Sequence, residues 1–70
     1  MKTRTEKEVE KSERLIDREE LLHMVPYTIQ HIYRKEKEGT FPRRVRLGAN
    51  RVAWVQSEVL AWISERMAER

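Results

Sequence analysis

Gln30, His31, Arg34 and Lys35 lie close together in the chain, and Arg43, Arg44, Arg46, Asn50 and Arg51 follow soon after. Side chains of these types recognise polyanions. Arg pairs through its planar fork with guanine or phosphate, Gln pairs with adenine, and Lys acts as a mobile point charge. Other chemistries find less support. His23 and His31 are eight residues apart with no third ligand pattern and no cysteine, so no zinc site or other metal is expected. No serine or threonine has the histidine spacing of a nucleophile and its base. Carboxylates lie mostly in mixed-charge stretches that read as solvated faces. No catalysis and no cofactor are expected. Trp54 and Trp62 could stack on single-stranded bases, but in a chain with so little apolar material they read as core.

The charge distribution supports a polyanionic partner. Residues 1–20 carry six Lys/Arg and seven Asp/Glu, and residues 52–70 carry two and three. Residues 21–51 carry seven Lys/Arg against two Glu, so the whole excess sits in the middle. A local basic patch is the footprint of nucleic acid or an anionic surface, against the blander reading of a solvated lysine-rich face. Five of those seven cations are Arg, which favours recognition.

The elements that must position these residues can be read from period and punctuation. Asp17 and Glu20 have capping-box spacing, and Ile16 and Leu21 have the spacing of a hydrophobic staple. A first helix follows, with Leu21, Leu22, Met24 and Val25 as its apolar face, and Pro26 ends it. Thr28 caps a second helix over residues 29–38, closed by Gly39. Two helices across so tight a turn make a helix-turn-helix. On a wheel of 100° per residue, Ile29, Ile32 and Tyr33 share one face, and Glu36 falls among them, expected at the rim. Gln30, His31, Arg34, Lys35 and Glu38 lie towards the other side. Residues 43–47 alternate basic with apolar, the period of a strand with one buried side. Gly48-Ala49-Asn50 is turn-like, and residues 51–55 are β-branched and aromatic, so the two runs form a hairpin. Ser57 is expected to cap the last helix, with Val59, Leu60, Ile63 and Met67 as its packing stripe and Trp62 beside it.

Seventy residues allow one small domain, expected over 14–70, and residues 1–13 read as a flexible charged tail with almost nothing to bury. No apolar run approaches a membrane span, and the charged N-terminus has no secretory apolar region, so a cytoplasmic protein is expected. The fold class is α+β, mainly α: a winged helix-turn-helix with about three helices and one β-hairpin wing.

The order of motifs is familiar. Thr28-Ile29-Gln30-His31-Ile32-Tyr33-Arg34 is followed by Lys37-Glu38-Gly39-Thr40-Phe41-Pro42, then Val45-Arg46-Leu47-Gly48. Val52-Ala53-Trp54 and Ser57-Glu58-Val59-Leu60-Ala61-Trp62-Ile63 complete the series. Together these closely resemble the AlpA-like regulators, small prophage-encoded proteins related to phage excisionases, over about residues 14–69. The resemblance implies a winged helix of the MerR type, with His31-Ile32-Tyr33-Arg34 in the recognition helix and residues 43–55 as the wing. It also implies control of integrase expression or of the excision of an integrated element. Many members carry an apolar residue where this chain has Lys35 or Glu36. Many also have a Gly-Leu-Ser-type turn in place of Val25-Pro26-Tyr27-Thr28.

The expected mechanism places the second helix in the major groove, with Gln30, His31, Arg34 and Lys35 towards the bases and the amides after Thr28 free to hold a phosphate. Arg43, Arg44, Arg46, Asn50 and Arg51 would hold the backbone or minor-groove edges. Double-stranded DNA is the expected partner, integrase a further one, and the protein is a monomer or self-associates weakly on adjacent sites. One rival is an excisionase that bends DNA and acts architecturally with integrase. Another is an interaction module for an acidic protein. A MerR-type effector sensor is disfavoured, because nothing after Arg70 would supply a dimerisation or ligand segment.

Overall fold

Asp17 begins the helical part of the chain. Its side chain accepts the Glu20 N–H at 2.9 Å and opens α1, Arg18–Met24. Val25 is extended, at φ −126° and ψ 120°, as the following Pro26 requires. Thr28 then opens α2, Ile29–Glu38, its Oγ1 accepting the His31 N–H at 3.1 Å. Gly39 closes α2 at φ 82°, with its N–H on the Glu36 carbonyl and the Thr40 N–H on that of Lys35. That pair of hydrogen bonds is a Schellman closure, which needs the left-handed residue glycine supplies. The helix-turn-helix therefore forms with the expected caps. The computed structural model describes residues 14–70, so the expected tail at 1–13 lies outside the described residues.

The strands are β1, Leu15–Ile16, β2, Val45–Gly48, and β3, Arg51–Val55. They form one antiparallel sheet in the order β1-β3-β2. Leu15 pairs with Val55 and Ile16 with Trp54, and on the other edge of β3 Val45 pairs with Ala53 and Arg46 with Val52. The last helix, α3, is Gln56–Ala68. None of the described helices is long and apolar enough to cross a membrane.

Three expectations are corrected. Ile16 is a strand residue, not merely a staple before the first helix. Ser57 is not the cap of α3: that helix starts at Gln56 directly off β3, with Val55 at the N-cap and no side-chain cap. The Gln56 N–H instead donates to the Arg14 carbonyl at 2.6 Å, so the residue leading into β1 does the work of a capping side chain. The alternation of β2 also fails at Leu47. The pairing shifts between Arg46 and Gly48, and Leu47 emerges half exposed. An extra residue on one strand is a bulge, and it breaks the in-out period.

Ile16, Leu21, Val25, Ile32, Phe41, Trp54 and Val59 form the buried core. Every described element except β2 contributes to it. Leu22, Met24, Tyr27, Ile29, Tyr33, Val52, Trp62 and Ile63 pack around it. On α3 the packed stripe is Val59, Trp62 and Ile63, while Leu60 and Met67 face outward. The helix is rotated from the expected stripe because Trp62 turns inward, edge-on to Phe41 and Tyr27.

Candidate nucleic-acid interface

Two apolar turns of α2 anchor the candidate reading face. Ile32 is fully buried, and Ile29 and Tyr33 pack partly against the core. The opposite arc is therefore fixed; it exposes the acidic Glu38 and, beside it, Gln30, Arg34 and Lys37. Their spacing, four and then three residues, places all three on one side of a helix. Lys37 joins the expected residues here, and the same wheel puts it beside Gln30.

His31 and Lys35 sit on the shoulder of this arc, each half-buried. The His31 ring stacks on Tyr27, with centroids 4.1 Å apart and planes within 10°. Tyr27 in turn meets the Trp62 ring edge-on at 5.8 Å. The Trp62 Nε1–H donates to the Thr40 carbonyl at 2.8 Å. His31 is thus tied into an aromatic series that joins α2 to α3, with only part of its ring free. Thr28 has its hydroxyl committed to the cap of α2.

The wing residues separate into two groups. Arg43, Arg44 and Arg46 line one shallow crevice with Glu36, and Arg43 and Arg44 line another with Tyr33, Glu36 and Lys37. The root of the wing and the C-terminal half of α2 thereby form one continuous basic surface. Asn50 and Arg51 instead border a crevice at the start of α1, beside Asp17, Glu19 and Glu20. The structure does not bring them to the first group. All five wing residues are exposed.

Glu36 is not at a rim. It is 6% exposed, and both carboxylate oxygens are engaged. Oε1 accepts from Arg44 Nη1, and Oε2 accepts the Trp54 indole N–H at 2.8 Å. The Arg44 guanidinium also lies over the Tyr33 ring, 4.2 Å from its centroid. A buried carboxylate persists only when paired and hydrogen-bonded in this way.

Three helices, a helix-turn-helix and a hairpin braced by a third strand define a winged helix-turn-helix. Residues 14–67 match the family model of the prophage CP4-57 regulatory protein (AlpA), and the chain belongs to that family. The chain is also 40% identical over 58 residues to the uncharacterized protein ORF88 of Enterobacteria phage P4. The match takes in 83% of this chain and 66% of that relative, so the chain spans just under two thirds of the relative's length. The family is a regulatory one, which agrees with the resemblance read from the motifs.

Proposed function

We propose that the protein is a non-enzymatic, sequence-specific binder of double-stranded DNA that regulates an integrated phage element. The observation that carries this reading is the single exposed arc of Gln30, Arg34 and Lys37, continuous with the basic root of the wing. In this reading α2 enters the major groove. Arg34 and Gln30 are placed to meet base edges, and Lys37, Arg43 and Arg46 to meet phosphates. His31 and Lys35 border the groove and adjust the fit, and Thr28 presents the first amides of α2 to a phosphate. Arg51 and Asn50 hold the backbone further along the wing. The site is a promoter or attachment site that governs integrase expression or excision, and integrase is the protein partner. Such a regulator works in the cytoplasm.

The test is a salt titration of binding to labelled duplexes selected from a random pool, followed by footprinting on the integrase promoter and attachment site. With about four phosphate contacts, log K should fall with log salt at a slope of about −3.6. A flat slope, or no enrichment of any sequence over the starting pool, refutes the reading. Tight binding to an acidic protein with no duplex binding would favour the interaction-module alternative.

A further inference from the structure

Burial makes Glu36 the unusual residue of α2. Taking a carboxylate out of water is costly, and an apolar side chain at the same place would pack without that cost. Glu36 also subtracts a charge from the surface proposed to face DNA. Its two donors come from different parts of the wing: Arg44 leads into β2, and Trp54 lies on β3. One carboxylate on α2 thus holds both arms of the hairpin. The Arg44 guanidinium also packs on the Tyr33 ring, which restrains that contact.

Apolar packing is largely non-directional, so it orients two packed elements less sharply than a directional contact does. Hydrogen bonds to a carboxylate prefer a narrow range of angles, and a guanidinium adds a planar constraint. Phosphates and base edges on a duplex have fixed spacing, so a helix and a wing that bind together must be held at a matching distance.

We propose that Glu36 is a positioning residue for DNA recognition: through Arg44 and Trp54 it locks the wing to the recognition helix and so sets sequence discrimination. The inference rests on the DNA-binding reading above. It also makes Arg44 a cation already committed within the protein, in contrast to Arg46, for which no ion pair forms among the described residues.

The experiment compares the unaltered protein with Glu36→Gln and Arg44→Lys on two duplexes. One is selected from a random pool by the unaltered protein, and the other is a scrambled sequence of equal composition. Glu36→Gln keeps shape and an acceptor for Trp54 but loses the ion pair. It should bind the scrambled duplex at least as tightly, because a negative charge is gone. Its preference for the selected duplex should fall about tenfold, the scale of one mismatched base pair. Arg44→Lys keeps the charge and loses the planar fork. It should lose preference in the same direction with its salt slope unchanged. If both affinities move by one common factor, so that the preference is retained, the pair only stabilises the fold and the proposal is overturned. Should Glu36→Gln fail to give a folded circular dichroism spectrum, the preference of Arg44→Lys decides alone. Loss of salt-dependent binding in the unaltered protein would instead remove the DNA-binding reading itself.

Discussion

Replacing each tryptophan by phenylalanine separates a structural indole from a supporting one. Trp54 is fully buried, and its N–H donates to an ionised partner, Glu36, at 2.8 Å. A hydrogen bond to a charged group contributes about 1.5–3 kcal/mol. The smaller ring also forfeits about 1 kcal/mol of burial, near the value of one methylene. Trp54→Phe should therefore cost about 2.5–4 kcal/mol. Trp62 is half-buried and donates to a neutral carbonyl, Thr40, which water can reach once the indole is gone. Trp62→Phe should cost only about 1 kcal/mol. A domain of this size has roughly 3–8 kcal/mol in total, so the first change takes a large share of it. At about 4–8 °C per kcal/mol, Tm should fall by about 10–32 °C for Trp54→Phe and about 4–8 °C for Trp62→Phe. Urea and thermal unfolding followed by far-UV circular dichroism measure both, provided the urea m-value is unchanged. Equal losses for the two variants, or a loss below about 1 kcal/mol for Trp54→Phe, would show that the indole does not hold the buried carboxylate.

Other expectations follow from single residues. Arg34→Ala should cost about 1–3 kcal/mol on a selected duplex and much less on a scrambled one, measured by fluorescence anisotropy. Equal losses would make Arg34 a phosphate clamp. Arg46→Ala should reduce the salt slope by about 0.9, and an unchanged slope would remove Arg46 from the DNA contacts. Gly39→Ala meets no atom within 4 Å of the added Cβ, so its cost should be the left-handed backbone strain alone, about 1–2 kcal/mol by urea unfolding. Asp17→Ala removes the cap of α1 and should cost about 1 kcal/mol by urea unfolding.

The caps and the turn were legible because they are local. Asp17, Thr28 and Gly39 each act within five residues, and each does what its type and spacing announce. The inward tryptophan of the wing was also readable, since a strand with one buried side must carry its largest ring inside. Strand β1 was not readable, because two residues show no period. With β1 hidden, Ser57 reads as the cap of α3, whereas the Arg14 carbonyl takes that place. Leu47 misled because a bulge leaves no trace in an alternating pattern. Glu36 looked like a flaw on an apolar face, and its partners are eight and eighteen positions away on other elements. Lys37 is a different case. It was readable from helical period alone, about two turns beyond Gln30 and one beyond Arg34.

The pairing of Ile16 with Trp54 has a consequence for how the chain reaches this shape. The two residues are nearly 40 positions apart, so closing that loop costs more entropy than forming any helix turn or the hairpin. Hairpins form in about 1–10 μs and helices faster, so the clasp between β1 and β3 belongs to the late part of folding. During synthesis the delay is imposed by the ribosome. At about 5–20 residues per second, Ile16 waits some 2–8 s for Trp54 to be made. Through that interval the nascent helix-turn-helix has no sheet to lie on, and only the arrival of β3 lets the domain close.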